Sequence, residues 1–123
     1  IFLGIGPSDT RDTAKAMAQK ISGLRIFADP QGRMNLSVAD LDAACLVVSQ
    51  FTLYGDCKKG RRPFFGGAAA PELARELCDV FSQALEQSVH QVETGRFGAD
   101  MEVSLCNDGP VTLILDSEEL GMS

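Results

Sequence analysis

Apolar and polar positions in the first third of the chain follow two different periods. Residues 1–6 have the continuous apolar pattern of a strand, and a helix is predicted after them because apolar residues recur at helical spacing. The helical positions are Ala14, Met17, Ile21 and Leu24. Ser8 or Asp9 would cap this helix. Two short strands are then predicted, at 25–29 and 34–36, separated by an Asp-Pro-Gln-Gly turn signal.

The strongest strand signal covers residues 44–53. Its Cys45-Leu46-Val47-Val48 stretch is continuously apolar, which is typical of a strand buried on both faces. A loop of glycines and basic residues follows at 54–70, and Pro71 opens a second helix at the position that proline favours. Further strands are predicted at residues 91–97, 102–107 and 111–116, followed by a polar tail at 117–123.

These elements, two helices and about six strands, indicate an α/β or α+β fold in one domain over residues 1–123. The 123 residues are 45% hydrophobic and 23% charged, which are ordinary values for a globular domain. No apolar run approaches the roughly 20 residues of a membrane-spanning helix. The first residues have no basic start and do not resemble a signal peptide; we expect that Ile1 lies within a strand of a longer natural protein.

The cysteines do not form a metal-binding pattern. No two of the four are spaced C-x-x-C, and His90 is the only histidine, so a structural zinc site is not expected. Cys57 lies in a polar loop and is expected to be exposed. Cys45, Cys78 and Cys106 lie in apolar patterns and are expected to be small core residues. This cysteine usage favours a reducing cytoplasm over secretion.

Charge is unevenly distributed along the chain. The net charge of -6 argues against a surface that coats a long nucleic acid. Four of the eleven basic residues nevertheless fall within five positions: Lys58, Lys59, Arg61 and Arg62. Such a loop could dock a local phosphate group, or it could be an ordinary solvated loop.

Two stretches offer candidate chemistry. The first is Ser49-Gln50-Phe51-Thr52, where a buried strand changes abruptly to hydroxyl and amide side chains. Ser49 or Thr52 as a nucleophile would need a positioned base, and His90 has a polar context, so a Ser-His-Asp triad is not expected. These side chains could equally satisfy backbone groups at the strand end.

The second stretch is Asn107-Asp108-Gly109-Pro110-Val111-Thr112. A Gly-Pro pair between two strands is usually a turn, but it is also a place where a cis peptide bond is accessible. A cis bond would aim neighbouring carbonyl oxygens to one side. There they could hold an ammonium group or exclude a bulky side chain by contact.

Together with the basic loop, these stretches resemble the D-aminoacyl-tRNA deacylase family over essentially the whole chain. The matching stretches occur in the family's order: LRIF at 24–27, MNLS at 34–37, VVSQFTLY at 47–54, KGRRP at 59–63, ETGRFGADM at 93–101 and NDGPVT at 107–112. The resemblance implies hydrolysis of the ester that joins a D-amino acid, or misattached glycine, to the terminal adenosine of tRNA. It implies a cytoplasmic proofreading enzyme of translation that needs no cofactor or metal.

The resemblance also assigns roles to residues in a homodimer with two sites at the subunit interface. Ser49, Gln50, Phe51 and Thr52 would line the pocket near the ester, with backbone N–H groups around Phe51 and Thr52 stabilising the oxyanion. Gly109 and Pro110 would form a Gly-cis-Pro element that enters the partner's pocket and rejects L-amino acids. Phe97 and Met101 would hold the terminal adenine. The acceptor-stem phosphates would be bound by Lys58, Lys59, Arg61 and Arg62.

The mechanism and the activity have alternatives. No general base is evident at the motif, and in this family the 2′-hydroxyl of the terminal ribose is thought to help activate water; the competing mechanism makes Thr52 a nucleophile. Family members begin with a further strand pair, so the resemblance implies that this chain lacks it. The alternatives are a tRNA- or DNA-binding relative without catalysis, an inactive truncated form, or a general esterase, which would require a base or a metal.

Overall fold

The computed structural model describes residues 1–109 and 111–122, which contain two α-helices and five strands. In chain order these are β1 (Phe2–Leu3), α1 (Arg11–Gly23), β2 (Phe27–Ala28), β3 (Met34–Leu36), β4 (Ala44–Ser49), α2 (Pro71–Glu86) and β5 (Gln91–Thr94). A short 3-10 helix, Phe51–Tyr54, follows β4. The predicted α/β class and both helices are confirmed, with fewer strands in the described residues than predicted.

Strand β4 is the centre of a three-stranded sheet. It pairs in parallel with β1 on one side and with β5 on the other, in the order β1-β4-β5. Parallel neighbours cannot be joined by a tight turn, and α2 supplies the crossover from β4 to β5. Strands β2 and β3 form a separate antiparallel pair.

The two helices pack against each other over one face of this sheet. Their core consists of Leu77, Phe81 and Leu85 on α2, all at most 1% exposed, with Val47 of β4 beneath them. The contacting positions of α1 are small, because Ala14 and Ala18 are buried while Met17 and Ile21 are half-buried. Small residues let the helix axes approach closely, so the large side chains of α2 fill most of the core volume.

Helix α1 begins one or two residues later than predicted. Its N-cap is Thr10, whose hydroxyl accepts from the Thr13 backbone N–H at 3.2 Å in a capping box. Asp9, one of the two predicted caps, instead accepts from the backbone N–H of Gly6 at 2.7 Å. Helix α2 begins at Pro71 as predicted.

Strand β4 is not buried on both faces as predicted. Val47 and Val48 are 3% and 4% exposed, but Leu46 is 46% exposed. Alternate residues of a strand face opposite ways, so Val47 meets the helices while Leu46 and Val48 face the other side. That second face carries a hollow described below.

The predicted strands at 102–107 and 111–116 were wrong for the described residues, which form no ladder there. Both segments are open to solvent, with Leu105 67% and Ile114 95% exposed. A strand needs a neighbour to satisfy its N–H and C=O groups, and within residues 1–109 and 111–122 neither segment has one. Cys106 is consequently exposed and not the predicted core residue.

The strands predicted at 1–6, 44–53 and 91–97 are also shorter than expected, since β1 covers only Phe2–Leu3, β4 ends at Ser49 and β5 ends at Thr94. Within the predicted polar tail, residues 117–122 form a turn in which the Met122 N–H donates to the Ser117 carbonyl at 2.8 Å. Neither helix within residues 1–109 and 111–122 has the length and apolar character needed to cross a bilayer.

Candidate functional site

The Ser49-Gln50-Phe51-Thr52 stretch, here called the motif, lies where β4 turns into the 3-10 helix. The backbone N–H of Gln50 donates to the Leu3 carbonyl of β1 at 2.8 Å, which ties this junction to the neighbouring strand. The Gln50 side-chain amide donates to the Thr52 hydroxyl oxygen. An amide donor cannot take up a proton, so Gln50 orients Thr52 without activating it as a nucleophile.

Two backbone donors of the motif have no partner. The N–H groups of Phe51 and Thr52 belong to the first turn of the 3-10 helix, where helix geometry provides no acceptor. Neither donates to any residue in the described part of the chain. These adjacent N–H groups are therefore available to an oxyanion or a carbonyl oxygen of a ligand.

Tyr54 holds the end of the 3-10 helix against the segment after β1. Its ring packs on two glycines, because a Cβ built on Gly4 would lie 3.2 Å from the ring and one on Gly6 only 2.6 Å from the phenol oxygen. Burial raises the pKa of Tyr54, and the nearby carboxylates of Asp9 and Asp116 raise it further. The phenol is therefore neutral at physiological pH.

An aromatic pair connects the motif to the basic loop. The rings of Phe51 and Phe65 meet edge to face, with centroids 5.7 Å apart and planes at 71°. Phe65 in turn packs on the backbone of Gly55, where a Cβ would lie 2.9 Å from its ring. Because Phe51 belongs to the motif and Phe65 directly follows residues 56–64, which carry the four clustered cations, the two predicted sites are neighbours.

The basic loop is a hairpin closed by Asp56 and Phe64, and residues 56–64 are called the basic hairpin below. Asp56 and Phe64 exchange two backbone hydrogen bonds, at 2.7 and 2.9 Å. The Asp56 carboxylate also accepts from the Lys58 N–H at 2.9 Å, and Gly60 has a positive φ of 65° at the tip. The predicted phosphate-binding residues are exposed and form no ion pair with another described residue: Lys58, Lys59, Arg61 and Arg62.

Met101 borders a hollow of about 480 Å³ on the sheet face away from the helices. Leu46 and Val48 of β4 form its floor, and Thr94 and Gly95 its edge. A Cβ on Gly95 would lie 2.6 Å from the Met101 sulfur, so the thioether rests on glycine backbone. The hollow therefore has an apolar floor, and its border carries the polarisable Met101 sulfur and the charged residues Arg96 and Glu102.

Phe97, predicted as the partner of Met101, lies elsewhere. Its ring packs against the helix-facing core, and the Arg75 guanidinium covers it with 4.7 Å between the guanidinium carbon and the ring centroid. Val47 marks that face of the sheet and Val48 the opposite one. The structure therefore does not bring Phe97 and Met101 together in the hollow.

Gly109 is exposed in a loop, and a Cβ placed on it would meet Asn107 at 3.0 Å and the Val111 nitrogen at 3.5 Å. Pro110 lies outside the described residues. The segment at 111–117 borders an apolar groove of about 590 Å³ together with β1, α1, Leu53 and Tyr54. The groove bordered by the segment after position 110 is thus also lined by Leu53 and Tyr54, the last two residues of the 3-10 helix that begins in the motif.

The remaining candidate groups lie apart from the motif. His90 is exposed, with its Nδ1 3.7 Å from Asp42. Burial, followed by the Asp79 charge, raises the pKa of the Cys78 thiol to about 11, and Cys57 is exposed as predicted. Residues 1–109 and 111–122 contain no group of three or more His, Cys, Asp and Glu side chains that could hold a metal ion.

Sequence reasoning missed Tyr54, Phe64 and Phe65 as parts of this region. The glycines at positions 4 and 6 are a signal for close approach by a large group, since alternate residues of an extended segment share a face. Nothing in the sequence identifies Tyr54 as that group. The contact of Phe51 with Phe65 depends on the path of the loop between them.

The comparison with protein families decides where this chain belongs. The family model described as D-Tyr-tRNA(Tyr) deacylase matches residues 1–116. The chain belongs to this family. The matched range includes the motif, the basic hairpin and the Gly109 loop.

Relatives in the D-Tyr-tRNA(Tyr) deacylase family are similar over almost the full chain. The D-aminoacyl-tRNA deacylase of Thermosipho africanus (strain TCF52B) is 52% identical over 120 residues, which cover 98% of this chain and 80% of that protein. The D-aminoacyl-tRNA deacylase of Thermus aquaticus is 56% identical over 119 residues, covering 97% of this chain and 78% of that protein.

Solved structures agree with the fold. The structure titled c-Myc DNA Unwinding Element Binding Protein superposes with a TM-score of 0.85 at 38% identity, covering 94% of this chain and 78% of that one. A probable eukaryotic D-amino acid tRNA deacylase gives a TM-score of 0.75 at 17% identity, with 89% and 79% covered. The second likeness concerns the fold alone.

Proposed function

We propose that this chain hydrolyses the ester of D-aminoacyl-tRNA, and of mischarged glycyl-tRNA, to release free tRNA and the amino acid. The observation that carries the proposal is the pair of unpartnered N–H groups at Phe51 and Thr52, at the end of a buried strand. Relatives named D-aminoacyl-tRNA deacylase, 52% and 56% identical to this chain, support the same activity. In translation this reaction is a proofreading step.

The protein needs only to position water and stabilise the oxyanion, because an aminoacyl ester is already activated. Water attacks the carbonyl carbon, the carbonyl oxygen becomes an oxyanion held by the N–H groups of Phe51 and Thr52, and the bond to the ribose oxygen breaks as that oxygen takes a proton. The ribose 2′-hydroxyl of the substrate assists the water. Thr52 accepts a hydrogen bond from Gln50 and positions the turn without forming an acyl intermediate.

The substrate contacts extend from the motif in two directions. The hollow beside Met101 takes the terminal adenine on its apolar floor, while Phe97 supports the adjoining loop from the core side under Arg75. The exposed cations of the basic hairpin, next to the motif through Phe51 and Phe65, bind acceptor-stem phosphates. Both contacts place the ester near the motif.

The assembly we propose is a homodimer with a site at each interface. Gly109 and Pro110 of one subunit enter the partner's pocket and reject L-amino acids by contact, which fits the exposure of Gly109. The segments at 102–107 and 111–116 carry unpaired backbone and exposed apolar side chains. We propose that they become strands of a partly closed sheet of about six strands when a neighbouring strand is present.

The first experiment compares deacylation of D-tyrosyl-tRNA and L-tyrosyl-tRNA at micromolar protein. Loss of the D ester with the L ester spared is the expected result. Loss of both esters would show that the Gly109 and Pro110 filter does not work as proposed. Loss of neither ester, with tight tRNA binding retained, would favour a binding protein over an enzyme.

A variant of Phe51 tests the oxyanion donors directly. Phe51→Pro deletes one N–H at the first residue of the 3-10 helix, a position that tolerates proline. Gln50 before it has a ψ of 84°, outside the α-helical region that a following proline disfavours. Removing one such donor lowers kcat by about 10²–10³-fold. Phe51→Ala is the matched control, since it loses the ring but keeps the N–H. Equal losses in both variants would contradict the proposed role of the backbone.

A non-catalytic nucleic-acid-binding role is not favoured. The structural relative whose title names DNA binding is 38% identical, whereas the deacylases of Thermosipho africanus and Thermus aquaticus are 52% and 56% identical over nearly the whole chain. The D-tyrosyl-tRNA assay above separates the two functions.

A further inference from the structure

Phe64 is a large, solvent-exposed apolar residue at the base of the basic hairpin. Its ring is 66% exposed, although both of its backbone groups are bonded to Asp56. The ring end lies directly over Gly66, where a Cβ would come within 2.2 Å of the ring carbon Cζ. Backbone pairing and a glycine therefore set the direction of this ring, while the hydrophobic core does not cover it.

Phe64 belongs to a hairpin that carries four cations and one acid, Asp56, in a protein that is otherwise acidic. The net charge of -6 includes the four positive charges of the hairpin tip, so the rest of the chain carries -10. None of these four cations is paired with another described side chain. A fixed aromatic ring beside uncompensated cations attracts a ligand that is both flat and negatively charged.

Single-stranded nucleic acid has that combination. Its bases stack on aromatic rings whatever their identity, and its phosphates bind a basic surface along the same strand. An acidic peptide would satisfy the cations and leave the ring without a flat partner. The Phe51 and Phe65 pair lies next to Phe64 in the fold and connects this surface to the motif, so a strand bound here leads toward the proposed ester site.

We propose that the Phe64 ring stacks on an unpaired base of the single-stranded 3′ end of tRNA while the basic hairpin holds the phosphates on either side. This inference rests on the proposed function, which supplies the tRNA, and adds a subsite separate from the hollow at Met101. The subsite positions the strand and makes no contact with the reacting atoms.

The test measures binding of a fluorescein-labelled single-stranded RNA heptamer ending in CCA by fluorescence anisotropy. Phe64→Ala is expected to weaken binding about tenfold, which is typical of losing one stacked base, whereas Phe64→Tyr keeps the affinity. Met34→Ala is the matched control, because Met34 of β3 is similarly exposed, at 62%, but lies outside the hairpin, the motif and the hollow. It should bind as the unaltered chain does.

A second probe isolates stacking from charge. With abasic heptamers, one for each of the last four positions, the tenfold difference between Phe64→Ala and the unaltered chain should disappear for the probe that lacks the stacked base. Lys59→Ala should weaken all probes alike and reduce the dependence of affinity on salt, which Phe64→Ala should leave unchanged. Gly66→Ala displaces the ring without removing it, and it should weaken binding as Phe64→Ala does.

The proposal is overturned if the unaltered chain does not bind the heptamer, if Phe64→Ala binds it equally well, or if the loss persists on every abasic probe. Urea unfolding of each variant checks that the fold is kept. Deacylation is measured separately. If the protein deacylates D-aminoacyl-tRNA but Phe64→Ala does not weaken RNA binding, only this subsite is refuted. If the protein does not deacylate but Phe64→Ala does weaken RNA binding, the proposed hydrolysis is refuted and the subsite stands.

Discussion

Gly6→Ala probes how the motif is held in place. Gly6 is buried, and its φ is not among the positive values, so alanine meets no backbone strain there. The new Cβ would lie 2.6 Å from the Tyr54 oxygen and 3.1 Å from the ring carbon that bears it. Carbon and oxygen need roughly 3.5 Å, so the phenol must retreat by about 0.9 Å. Overpacking of this kind costs about 1–3 kcal/mol of unfolding free energy.

The Tyr54→Phe background separates this contact from any other effect of the methyl group. Without the oxygen, the nearest atom is the ring carbon at 3.1 Å, and the remaining overlap is about 0.4 Å. Gly6→Ala should then cost less than half as much, which gives a coupling of about 1 kcal/mol between the two positions. Because Tyr54 ends the 3-10 helix that begins at Phe51, Gly6→Ala should also lower kcat in the tyrosine background.

Urea unfolding of the four proteins, followed by circular dichroism, measures this coupling. Gly23→Ala is the control, since no atom lies within 4 Å of the added methyl group, and it should stabilise the chain by about 0.4–1 kcal/mol. An equal cost of Gly6→Ala beside tyrosine and beside phenylalanine would refute the reasoning. So would a stabilisation like that of the control.

Three further predictions concern stability and mechanism. Leu85→Ala, at a site 0% exposed, should lower the unfolding free energy by about 2–5 kcal/mol in urea, whereas Arg11→Gln, which breaks the exposed 2.6 Å pair with Glu76, should cost at most about 1 kcal/mol. Burial raises the pKa of Cys78 from 9.0 to about 11. The stability that the neutral buried thiol contributes is therefore complete below pH 9 and is lost as the pH rises to about 11. The urea midpoint should fall over that window, and Cys78→Ala should make the fall smaller. Acid-quenched single turnovers should show no acyl adduct on Thr52 by intact mass, and detection of one would overturn the water mechanism.

Local patterns predicted the elements that local forces stabilise. Helix α2 begins at Pro71 as expected, because proline at the first turn loses no helical hydrogen bond. Strand β3 has its predicted bounds, Met34–Leu36. The cap of α1 was misplaced because Thr10 and Asp9 are both good caps, and the choice depended on the bond that Asp9 makes to Gly6.

The sequence by itself determined the family, the α/β class and the position of the motif at the end of β4, because these depend on residue order, periodicity and abrupt changes of polarity. The tertiary structure alone decided which predicted strands form. Residues 102–107 and 111–116 have strand-like composition, but a strand is stabilised by hydrogen bonds to a neighbour, and no strand lies beside them in the described part of the chain. It also decided that Phe97 and Met101 lie on different faces of the sheet and that Phe51 meets Phe65, since such contacts depend on the path of the chain through space.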